Sequence, residues 1–212
     1  MPIRILRPYL RQIADWVAIV VSVSAIFAAA CYIQFEYLVA FNTTPLMAIF
    51  FIPAAVRVFS VITVGYWAGL GVALGAFLHD TYLHPMDRQP FELAVSALQQ
   101  GGGVSLSLLI WALTSRKVSG LRNPTINFTA IDAFDVLQLC VIQAVVNSSS
   151  AHLFYIWSPT IHHHFDLYYY MIMFIGDLAG AFLIFILSNI VFSLLLRAGI
   201  IPRRQYKDAL GA

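Results

Sequence analysis

The chain has 212 residues, of which 60% are hydrophobic and only 10% charged, a formal charge of +2 and a mean hydropathy of +0.81. That much apolar surface exceeds what one soluble core can hide and places the chain in a bilayer. The small, dispersed positive charge excludes a nucleic-acid partner, and the long continuous apolar runs exclude a barrel, whose strands would be short and alternating.

The expected fold is all-α, a polytopic transmembrane bundle of about six helices, because backbone groups in lipid must be paired within their own segment. Residues 1–212 read as a single integral membrane domain with short cytoplasmic tails at 1–12 and 198–212. The first crossing is predicted from Ile13 to Ala40; it is too long for a signal peptide and lacks a clear small-residue cleavage site. After a turn at 41–45, a second segment runs from Leu46 to Val64 with Pro53 and Arg57 inside it, and a third from Tyr66 to Leu83. The near absence of a turn between them predicts a tight or broken hairpin. Loop 84–90 leads to a fourth crossing from Phe91 to Thr114, and the polar stretch 115–129 to a fifth from Ile131 to Trp157. Residues 158–166 return the chain to a sixth, Leu167 to Leu196.

Loop charge tests this count. With the N-terminus inside, the cytoplasmic segments hold Arg4, Arg7, Arg11, Arg116, Lys117, Arg122, Arg197, Arg203, Arg204 and Lys207, ten of the twelve basic residues. Only Arg57 and Arg88 lie elsewhere. The asymmetry puts both termini in the cytoplasm, and Tyr155, Trp157 and Tyr168 to Tyr170 fall at a depth suited to an aromatic belt on the other side.

Ionisable residues inside a span are costly and mark candidate sites when a partner can be named. Arg57 and Asp177 lie at similar depth in segments two and six and are paired in this reading. Pro53 is expected to loosen the helix before Arg57. Gln99 and Gln100 precede Gly101 to Gly103, a run expected to break the fourth helix beside a cavity, and Asn147 belongs to a polar outer half of the fifth. Arg57, Asp177, Gln99, Gln100 and Asn147 are therefore the candidate ligand-binding or gating residues. Gly65, Gly69, Gly71 and Gly75, with Gly176 and Gly180, form small-xxx-small patterns read as helix packing.

His162, His164 and His84 are weak metal candidates, since neighbouring loop histidines do not easily share an ion and no compact ligand spacing is present. No cofactor is assigned. Cys31 and Cys140 sit at unrelated places in apolar segments and read as small core hydrophobes rather than a disulfide framework. No nucleophile elbow, P-loop or dinucleotide fingerprint occurs, so a non-enzymatic role is expected.

The run Phe51-Ile-Pro-Ala-Ala-Val-Arg57 followed by Gly65-Tyr-Trp-Ala-Gly-Leu-Gly-Val-Ala-Leu-Gly-Ala-Phe-Leu78 resembles the proline-containing, glycine-rich hairpin of the first class of bacterial membrane-associated sensor (MASE) domains. Gly176-Asp-Leu-Ala-Gly180 is similar to the Gly-Asp-x-x-Gly helix late in those domains, and the resemblance covers about residues 45 to 200. It implies a sensory module of a bacterial inner membrane. In that family the module commonly precedes a kinase or cyclic-dinucleotide signalling domain, whereas this chain is expected to end without one and to act on a separate protein partner. A small-solute transport component and a structural subunit of a larger membrane complex are the other expectations.

Overall fold

The computed structural model describes residues 3–44, 47–85, 88–115, 132–160 and 166–198. Among the described residues the architecture is all-helical, with six helices: α1 (Ile3–Glu36), α2 (Ile52–Val64), α3 (Trp67–Leu78), α4 (Pro90–Ser115), α5 (Ala133–Trp157) and α6 (Leu167–Arg197). α3 runs on into a π turn, His79–Leu83, and a short antiparallel ribbon joins β1 (Asn42–Thr44) to β2 (Met47–Ala48). Among the described residues four helices are long and apolar enough to cross a membrane, which marks a membrane protein: α1 from Arg11, α4, α5 and α6. The first helix begins ten residues before the predicted entry at Ile13, so part of the expected 1–12 tail is helix. Most of the 198–212 tail and of the 115–129 loop lies outside the described residues.

Side-chain contacts fix the direction of each helix. Trp16 and Trp67 meet at 4.8 Å at one end of the bundle, and Phe35 meets His79 at 5.4 Å at the other, so α1 and α3 run the same way. α2 starts at the far end, where the Ile52 N–H donates to Gln34 Oε1 at 3.1 Å, and runs back. α6 runs alongside it, with Phe59 stacked on Phe185 at 4.2 Å. α4 descends from α3, Ser105 Oγ reaching the Tyr66 carbonyl at 3.4 Å, and α5 rises beside it, Gln99 Nε2 donating to Ser150 Oγ at 2.6 Å. Around the bundle the order is α1, α3, α4, α5, α6, and α2 packs against every one of them.

α2 differs from its prediction. It begins at Ile52, not Leu46, and its 13 residues span only about 20 Å. Pro53 stands in the first turn, where the missing N–H has no partner to lose, so it starts the helix instead of loosening it. Of the rest of the predicted segment, residues 47–51 are non-helical chain laid along α6. Non-helical backbone inside a bundle needs partners. Phe51 N–H donates to the Gly176 carbonyl at 3.1 Å and Ile49 N–H to the Phe41 carbonyl at 2.9 Å. Buried Gln34 serves the strand twice, accepting from Ile52 N–H and donating to Asn42 Oδ1 at 3.1 Å.

The glycines explain these close approaches. A Cβ on Gly176 would overlap the Ala48 carbonyl oxygen, and one on Gly180 the Phe51 carbonyl oxygen. Their pattern therefore serves helix-on-strand contact, not the helix-on-helix packing read from spacing. Gly69 meets the backbone of Gly101 on α4, while Gly71 and Gly75 meet Val23 and Ser24 on α1, as packing residues should. Gly65 has a conformational role: its φ of 67° makes the α2–α3 turn, a conformation that disfavours any residue with a Cβ. α4 is unbroken through Gly101 to Gly103, against expectation, because its glycines lie mid-helix and Gly101 buys closeness to Gly69 and Ala73.

At the far end Glu92 clasps two connections. Its carboxylate accepts from the hydroxyls of Ser158 and Thr160 just after α5, and from the Gln89 N–H just before α4.

Gly180→Val should force the Phe51 strand off α6 and lower the melting temperature in detergent strongly, whereas Gly102→Ala, with nothing within 4 Å of its added Cβ, should be neutral or stabilising by up to about 1 kcal/mol. Equal tolerance of both would refute the strand-on-helix contact.

Candidate functional site

Arg57 occupies the second turn of α2, the helix that touches all the others, and is 2% exposed. The Phe27 and Phe51 rings lie 5.5 and 5.4 Å from its guanidinium carbon, favourable cation–π positions for a desolvated cation. Its Nη2 donates to Gln100 Oε1 at 3.0 Å. Its Nη1 stands 3.6 Å from Asp177 Oδ1, an ion pair too long for a hydrogen bond. Asp177, also 2% exposed, accepts from Asn147 Nδ2 at 2.6 Å. The pair is thus held by amides from two further helices, α4 and α5.

A cavity of about 80 Å³ opens beside it. Arg57, Asp177, Gln99, Gln100 and Asn147, chosen from four separate segments of sequence, all line it. So do His79, Asp80, Arg88, Ser96 and Tyr155, which the charge and spacing arguments did not assign to a pocket. His79 Nδ1 and Asp80 Oδ1 are 2.8 Å apart, and since a carboxylate can only accept, the ring nitrogen carries the proton. His79 Nε2, Arg57 Nε and Arg57 Nη1 are buried with no hydrogen-bond partner. Arg88 lies with its guanidinium 5.8 Å from the Phe154 ring. Arg88 carried one signal in the sequence, as one of two basic residues outside the cytoplasmic set. The π turn that swings His79 and Asp80 inward has no comparable signature, although such turns are frequent at functional sites.

Of the metal candidates, His84 bonds Glu36 Oε1 through Nδ1 at 3.2 Å and stacks on Phe35. His162 and His164 lie outside the described residues. Among the described residues no three metal-ligating side chains gather in one place. Cys31 and Cys140 are free and buried, apart from each other in the core, and Cys31 contributes to the cavity wall.

The arrangement can bind. Guanidinium N–H groups with no partner belong to a residue lining a partly open cavity, and the charged side chains around it are balanced two against two.

No protein-family model matches the chain, and no curated protein or solved structure matches it.

Arg57→Gln and Asp177→Asn should each leave one uncompensated buried charge and cost about 3–5 kcal/mol, while the double variant should recover most of that loss. A double-mutant cycle on detergent unfolding reads this directly. Single variants as stable as the parent would show that the two groups are not coupled.

Proposed function

We propose that this chain is a six-pass protein of a bacterial inner membrane, both termini cytoplasmic, that binds a small polar solute in the Arg57–Asp177 cavity and signals its occupancy to a partner protein. The observation that carries the reading is the convergence of polar groups from α2, α4, α5 and α6 on one cavity, around an ion pair whose cation sits on the helix touching all others. Burying so many polar groups in an apolar bundle is costly, and a solute that bonds to the unpartnered donors offsets that cost. The alternating helix directions support six crossings, with α2 completed by its extended entry. The positive-inside distribution supports cytoplasmic termini, with the cavity nearer the opposite face. The likeness to the MASE hairpin points the same way, toward sensing.

The role is one of binding, without a chemical step. A solute changing the Arg57–Asp177 distance moves α2 relative to α6, and α2 turns directly into α3 at Gly65, on the cytoplasmic side in this topology. Partner contact is assigned to that side.

A transport role is the second reading, favoured by the loop carrying His84 and Arg88. This loop brings one lining residue, Arg88, beside the far end of the bundle, a short path from cavity to surface.

The test is purification in mild detergent without a histidine tag, followed by native mass spectrometry of what co-elutes. A solute in fixed ratio that is lost on Ala151→Leu, which fills the cavity wall, is the expected result. A co-purifying cytoplasmic signalling protein supports sensing. Solute uptake by proteoliposomes would replace sensing with transport, and identical, solute-free spectra for parent and Ala151→Leu would remove the binding reading.

A further inference from the structure

Taking the cavity as a solute site, as proposed above, we infer that its solute is a small carboxylate, bound together with one proton. What the Arg57 guanidinium lacks is an acceptor: the unpartnered buried atoms of the cavity are its Nε and Nη1, both donors, and His79 Nε2, which with the ring proton on Nδ1 is a vacant base, in side chains that are 2% and 1% exposed. The aromatic rings beside Arg57 accept no in-plane hydrogen bond, so the N–H edge of the guanidinium stays open. The acceptors nearby already have donors: Asp177 takes Asn147, Asp80 takes His79, and Gln100 Oε1 takes Arg57 Nη2. A planar fork of N–H groups matches the two oxygens of a carboxylate better than a single carbonyl. Arg88 on the same wall adds a second guanidinium. The volume, about 80 Å³, equals about two to three waters and suits a solute of a few heavy atoms.

Charge supplies the proton. Arg57 and Arg88 balance Asp80 and Asp177, so a carboxylate alone leaves one negative charge uncompensated in a buried space. His79 can restore the balance, because its Nδ1–H is committed to Asp80 and its free Nε2 can take a proton. The titratable and charged groups around that ring are Asp80 on its own turn, Cys31 on α1, Arg57 on α2, His84 and Arg88 in the following loop, Tyr155 on α5 and Asp177 on α6. The step is a proton transfer alone: an O–H bond of solvent or of the acid breaks and an N–H bond forms at His79 Nε2. The solute enters as the anion plus a proton from solvent, or as the neutral acid that passes its proton to His79.

Calorimetric titration of the full chain in detergent with acetate and propionate, in two buffers of different ionisation heat, tests this. The expected result is saturable binding, uptake of about one proton per anion, affinity falling up to about tenfold per pH unit once free His79 is neutral, and propionamide binding at least about tenfold more weakly. His79→Gln leaves the Arg57–Asp177 pair intact and should abolish proton uptake, while Arg57→Lys should weaken carboxylates more than propionamide. Equal affinity for propionamide, binding without proton uptake, or preference for glycine or methylammonium would overturn the inference. So would failure of every carboxylate probe: if Ala151→Leu still displaces a co-purified solute of another class, the cavity reading stands and the carboxylate falls, and if it displaces nothing, both fall.

Discussion

A guanidinium buried among hydrocarbon is tolerated only if its charge is answered within the fold, and Arg57 makes that demand at the centre of this bundle. α2 touches five other helices, so the answer can come from several directions at once. It comes from the Asp177 carboxylate on α6, the Gln100 amide on α4 and the Phe27 and Phe51 rings. Elements far apart in sequence are thereby tied to one point in space.

The second constraint follows from the first. For Phe51 to lie beside Arg57, the chain must enter the bundle extended rather than helical, and an extended segment in an apolar interior must find partners for its backbone. Gly176 and Gly180 flank Asp177 and let the strand approach α6 closely enough for the Phe51 N–H to reach the Gly176 carbonyl. One helix face thus supplies both the counter-ion and the seat for the strand. Buried Gln34 completes the set by bonding to both ends of the extended entry.

Much of this was legible in the sequence, for reasons that are local. Apolar run length gives the long helices to within a few residues, apart from the earlier start of α1. The rarity of charge inside a span singles out Arg57 and Asp177, and rare amides in the same spans single out Gln99, Gln100 and Asn147. What escaped was three-dimensional. Gly-xxx-Gly spacing states that something comes close but does not name it, so the strand on α6 read as a helix. A glycine run allows a break without requiring one, and α4 stays intact, with Gly101 packed against α3 and Gly103 towards α5. The short α2 escaped because residues 46–51 are as apolar as a helix would be, and hydropathy cannot tell an extended chain whose N–H groups find outside partners. His79 and Asp80 reach the cavity through a π turn that leaves no periodic mark, and Arg88 from the loop that follows it.

The looseness of the central pair connects this architecture to the solute-binding reading. At 3.6 Å Arg57 and Asp177 attract without sharing a hydrogen bond, while each is bonded to a neutral amide on a different helix. A tight bidentate pair would satisfy the guanidinium and leave a solute little to gain. Held apart, the cation keeps unused donors, and an acceptor entering the cavity competes with Asp177 for the same edge. In the solute-binding reading the two states differ in which acceptor Arg57 faces, and the difference is felt by α6 through Asp177 and by α4 through Gln100. A solute can shift such an equilibrium only by its differential affinity for the two arrangements, and competition for one guanidinium edge supplies that difference. The polar groups that make the bundle costly to bury are, on this account, the ones that make it responsive.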